Sequence, residues 1–134
     1  MSLRRTLKPS EHQEQKAVID WWRLACKGYG LPEYVLFSIP NGAHLAGDSR
    51  LRAIKMANLK KTGLRPGIPD LFLAIPEPRF PGCGLFIEMK VKPNKPSAEQ
   101  AKVIADLRAA SYGVSVCYSA DEAVETIKDY LYLK

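Results

Sequence analysis

Gly67-Ile68-Pro69-Asp70-Leu71-Phe72-Leu73 and, one loop later, Gly84-Leu85-Phe86-Ile87-Glu88-Met89-Lys90 are two short apolar runs, each interrupted by one acid. Their branched and aromatic residues predict strands over Ile68 to Ile75 and Leu85 to Met89, joined by the Pro- and Gly-rich stretch Pro76 to Gly84. Strands so near in sequence are expected to be neighbours in one sheet. An ionised carboxylate in a sheet core loses several kcal/mol of solvation unless a cation or a hydrogen-bond network compensates. Side chains alternate along a strand, so Glu88 and Lys90 emerge on one face and Met89 on the other. If Asp70 faces the same spot, two carboxylates and an ammonium meet there.

The flanking segments supply the rest of an α/β order. Ser10 with Gln13 reads as a capping box opening a helix from Glu11 to Cys26, with Val18, Trp22 and Ala25 on its inward stripe. At about 100° per residue, Glu11 and Gln15 fall in line with that stripe, and an acid on an inward face needs a reason. Val35 to Ile39 reads as a strand closed by Pro40-Asn41-Gly42, and Asp48 to Thr62 as a helix stopped by Gly63 with a basic surface of Arg50, Arg52, Lys55, Lys60 and Lys61. Ser97 with Gln100 opens a helix to about Ala110, Val114 to Tyr118 is a strand, and Ser119 with Glu122 opens a last helix packing Val124, Ile127 and Leu131. The order αβ(α)ββαβα implies a central mixed sheet flanked by helices.

Bulk composition is compatible with this but less specific. The 134 residues, 46% of them hydrophobic, suit one domain with a buried core, read as residues 10–134 behind a basic and flexible extension, residues 1–9. Twenty Lys and Arg against fourteen Asp and Glu give a formal charge of +6, which favours an anionic partner such as nucleic acid, although solubility alone accounts for such a balance equally well. Cys26, Cys83 and Cys117 are odd in number and widely spaced, so neither a disulfide framework nor a zinc site follows, and a reducing cytoplasm is the expected compartment. No apolar run approaches the roughly 20 residues that span a bilayer.

Asp70 and Glu88 have the oxygen donors that hard ions prefer, which points to Mg2+ or Mn2+. Such an ion beside a phosphodiester neutralises a non-bridging oxygen, acidifies a bound water and stabilises the leaving oxyanion. Lys90 could orient that water, take its proton or stabilise the transition state, and the sequence does not choose among these. The plainer reading is that Asp70 caps a turn and that Glu88 with Lys90 is an exposed ion pair worth under about 1 kcal/mol. Each plain reading is the commoner one singly; the ordered combination is more specific.

In that order the chain resembles a stand-alone VRR-NUC domain of the phage and prophage type, within the PD-(D/E)xK nuclease superfamily. The resemblance runs from Ser10 to Leu131 through Ser-Glu-His-Gln-Glu-Gln (10–15), Ile-Pro-Asn-Gly (39–42), Leu-Lys-Lys-Thr-Gly (59–63), Pro-Gly-Ile-Pro-Asp-Leu (66–71), Gly-Leu-Phe-Ile-Glu-Met-Lys (84–90) and Ser-Ala-Glu-Gln (97–100). It implies a restriction-endonuclease-like fold, Asp70, Glu88 and the Met89 carbonyl as metal ligands, and Lys90 as the catalytic lysine. Glu11 matches the family's first-helix acid, with Glu14 a rival one turn away. Gln15 and Gln100 are implied to reach back toward the site. Asn41 and Gly42 match the family's turn, which a plain strand-ending turn would equally use. Lys60, Lys61, Arg65, Lys92 and Lys95 would ring the site and contact DNA phosphates, or simply form a solvated basic face. Tyr118 ends its strand nearby, where a half-buried aromatic is ordinary.

The expected activity is therefore metal-dependent hydrolysis of DNA, selective for branched forms such as four-way junctions and carried out by a homodimer, in the bacterial host cytoplasm if phage-encoded. A flap, nicking or restriction-like preference, or a binding module without turnover, are the alternatives.

Overall fold

Ser10 accepts the amide of Gln13 while Gln13 returns a bond to the Ser10 amide, and this box starts α1 (Glu11–Ala25). The computed structural model describes residues 9–41, 45–76 and 83–132. Within them, α1 is followed by 3-10 turns at Cys26–Tyr29 and Glu33–Val35, β1 (Leu36–Ser38), α2 (Ser49–Lys61), β2 (Leu71–Leu73), β3 (Leu85–Met89), α3 (Ala98–Ala109), β4 (Gly113–Cys117) and α4 (Ala120–Leu131). The order is the one anticipated. The four strands lie in the order β1-β2-β3-β4; the first two pairings are antiparallel and β3 pairs with β4 in parallel, so the sheet is mixed.

One face of this sheet makes the core. Leu71, Leu73, Leu85, Ile87 and Met89 are buried against Val18, Trp22 and Cys26 of the N-terminal segment and Ala123, Ile127 and Leu131 of α4. The inward line of the first helix thus ends on Cys26 rather than on the half-buried Ala25, which sits one position off the Val18–Trp22 row. In α4 the buried set is Ala123, Ile127, Tyr130 and Leu131, and Val124 is only half-buried. Tyr130 also ties α4 to the sheet end by donating to the Ile75 carbonyl at 2.7 Å.

The middle strand is shorter than the apolar run suggests. Pro69 lacks the amide a ladder needs, so regular pairing starts at Leu71. Backbone bonds nevertheless continue past both ends, from Ile39 N–H to the Asp70 carbonyl at 2.8 Å and from Ala74 N–H to the Val35 carbonyl at 2.8 Å. Asp70 is thereby held in line with the sheet although it stands just outside β2.

Candidate active site

The register puts Leu71 opposite Ile87, so Asp70 and Glu88 face each other one position further on. Asp70 accepts the Met89 amide through Oδ2 at 2.8 Å, which replaces a ladder bond by a side-chain one and anchors the carboxylate at the sheet end. A residue's N–H and C=O point to the same edge of a strand, so the Met89 carbonyl is directed toward the Asp70 side as well. Glu88 is 3% exposed and is the buried charged residue among those described. Its Oε1 accepts from Gln100 Nε2 at 3.1 Å and lies 3.6 Å from Lys90 Nζ, as the period of two along β3 requires.

Gln100 performs two tasks at once. Its Oε1 accepts the Ser97 amide at 2.9 Å in the capping box of α3, while its Nε2 holds Glu88. Capping and pointing toward the site coexist because the two ends of the carboxamide face opposite ways. The same bond shows that α3 covers the sheet face bearing Glu88, opposite the α1 and α4 core.

The first-helix acids separate by what they touch. Glu14 Oε2 accepts the Ala120 amide at 2.6 Å, at the N-terminus of α4. Glu11 instead exerts its charge on the pair of facing acids. Glu88 is pushed up to about 7, first by burial and next by the charge of Asp70, with Lys90 opposing and Glu11 adding to the rise. Asp70 is also raised, chiefly by burial, against the Met89 amide that lowers it and with Glu11 again pushing upward. Two buried carboxylates raised by loss of solvation and by neighbouring negative charge are a set that a cation relieves. These donors fit a hard divalent ion. Among the described residues, no three acids, histidines or cysteines stand close enough to make a preformed metal cage.

Gln15 is half-buried on α1, one turn from Glu11, and Asn41 is half-buried two residues beyond the Ile39 that bonds Asp70. Gly42 lies outside the described residues, as do His44 and Ala43 of the following loop. Lys60, Lys61, Arg65, Lys92 and Lys95 are all exposed. Lys92 Nζ sits 5.9 Å above the Tyr118 ring, an interaction that neither residue announces in the sequence because the two belong to different loops.

An α/β domain with two facing acids and a lysine at one sheet end is an arrangement suited to nuclease chemistry. The VRR-NUC domain model matches residues 10–121, most of the chain, and the protein belongs to that family. A solved structure described as a "VRR_NUC domain protein" superposes with a TM-score of 0.75 at 23% identity, over 95% of this chain and 92% of the other, which shows the shared fold. No curated protein matches the chain.

Proposed function

We propose that the protein is a divalent-metal-dependent endonuclease that hydrolyses DNA phosphodiesters at the site formed by Asp70, Glu88 and Lys90. The observation that supports this most is the facing pair Asp70 and Glu88, both raised chiefly by burial and further by the charge of Glu11, with a lysine 3.6 Å from Glu88. Asp70, Glu88 and the Met89 carbonyl would hold Mg2+ or Mn2+, with Glu11 as a further acid. When bound, the ion supplies Lewis acidity toward a phosphate oxygen and toward water.

The chain's own groups set up the rest. Gln100 and Lys90 both hold Glu88 through Oε1, which fixes the orientation of the carboxylate beside Asp70. Lys90, largely enclosed, carries its charge on the sheet face where a phosphate would be seated and can stabilise the negative charge that develops there. Glu11 of α1 adds its negative charge to the two acids, and Gln15 on α1 and Asn41 after β1 would border the site. Lys60, Lys61, Arg65, Lys92 and Lys95 are exposed cations suited to phosphate contacts.

We further infer that the preferred substrate is branched DNA such as a four-way junction, cut by a homodimer, since paired sites related by a two-fold axis suit two strands of a junction. Labelled duplex, flap and junction DNA incubated with Mg2+, with Mn2+ and with chelator test both statements. Cutting that requires metal, is strongest on the junction and is lowered by at least about 100-fold in Asp70→Ala and Glu88→Ala is expected. Failure to cut any substrate with either metal overturns the nuclease reading; cutting of the duplex and flap equal to that of the junction overturns only the selectivity.

A further inference from the structure

Helix α2 (Ser49–Lys61) is well formed yet buries none of its residues, and Leu51, Ile54 and Leu59 are 48%, 49% and 36% exposed. A helix of this length is marginal in water without a packed face. Locally it is held by its ends: Asp48 accepts the Leu51 amide at 2.9 Å, Lys55 donates to the Ala46 carbonyl at 2.8 Å, and the Gly63 and Leu64 amides return to Lys60 and Leu59. Its charge is entirely of one sign. Arg50, Arg52, Lys55, Lys60 and Lys61 stand among thirteen residues with no acid.

At about 100° per residue the widest sector without a cation is about 120° and holds Ile54, Asn58 and Leu51. Arg50 and Lys61 border it on one side and Lys55 and Arg52 on the other. We propose that α2 is a phosphate-gripping arm which lies along the backbone of the same DNA whose phosphodiester enters the Asp70–Glu88 site, so that Arg50, Arg52 and Lys55 extend the binding surface beyond Lys60 and Lys61. The assignment rests on the nuclease reading above. The nine residues from Lys61 to Asp70 span at most roughly 30 Å, under the ~34 Å of one duplex turn, so arm and site fall on one substrate. A helix of thirteen residues is about 20 Å long, enough to follow one strand's backbone past about three phosphates. Charge also selects the occupant. A second copy meeting this face through a two-fold axis would set five cations against five with no acid between them, whereas a polyanion is complementary.

The test measures binding of the full chain to a labelled duplex in chelator, so that nothing is cut, over a range of salt. R50A/R52A/K55A is expected to lower the slope of log affinity against log salt by about 2 to 3, near 0.9 for each phosphate that is no longer neutralised. A second measurement uses the unaltered protein. Amine labelling of Lys55 and Lys60 is expected to fall at saturating duplex, while Lys102 on α3 stays reactive. An unchanged slope with undiminished Lys55 labelling overturns the arm even if wild-type protein cuts DNA normally. Loss of Lys55 labelling on raising protein concentration without DNA makes the face a contact between copies and overturns it too. If wild-type protein neither binds nor cuts DNA, the nuclease reading falls with it.

Discussion

Glu88 sits at 3% exposure with a carboxylate that titrates at about 7, and those two facts set its behaviour. The folded state holds this proton more tightly than the unfolded chain, whose glutamate titrates near 4.5. Metal-free protein therefore loses stability as pH rises from about 4.5 to 7, and Asp70, also raised, adds a loss of the same sign. The Glu88 share is at most on the order of 3 kcal/mol. Thermal melts in chelator at pH 5 and pH 8 should show Glu88→Gln flattening this dependence and melting above wild type at pH 8, while cutting is abolished. A variant that keeps the full wild-type slope would mean that another group carries it. The two acids of α1 part company at this scale as well. Glu11→Gln should weaken Mn2+ binding measured by calorimetry and slow cutting by 10-fold or more, with little change in melting temperature.

Among elements, the joint between α1 and α4 is the one a single side chain maintains. Glu14 brings a carboxylate to the N-terminus of α4, where unpaired amides and the helix dipole favour negative charge. Glu14→Ala should cost about 1 to 2 kcal/mol in denaturant unfolding and leave the metal dependence of cutting unaltered. That result, opposite to the one for Glu11, would separate the two acids in function as the structure separates them in space. In α3, Gln100 couples capping to the site, so Gln100→Ala is expected to lose both a few tenths to about 1 kcal/mol of stability and part of the activity, measured side by side. Most elements were legible beforehand because each carries its own stop and start: the serines at 10, 97 and 119 do cap α1, α3 and α4. Boundaries set by non-local pairing were less so, and β2 is shorter than its apolar run because Pro69 cannot donate.

For the whole molecule, the acids at one end of the sheet are a strain that a bound cation would remove. A fixed concentration of Mn2+ or Mg2+, about 100 times the dissociation constant at pH 8, should raise stability by about 2.7 kcal/mol there and by less at pH 6, where Glu88 still carries much of its proton and binding is weaker. Equal stabilisation of wild type and of Asp70→Ala by the ion would place the ion elsewhere. Among the described residues no helix is long and apolar enough to cross a membrane. The sequence by itself determined the element order and set Glu88 and Lys90 on one strand face, because strand period and capping boxes act within a few residues, while the facing of Asp70 and Glu88 came from the pairing register of β2 and β3. It also left Glu11 and Glu14 as rivals and α2 as one basic helix among others. Only the tertiary structure decided those points. Glu14 is committed by an amide 106 residues away in the chain, and α2 is set apart by packing that it does not make. Both depend on which distant segments meet, and that is a property of the folded chain rather than of any local stretch.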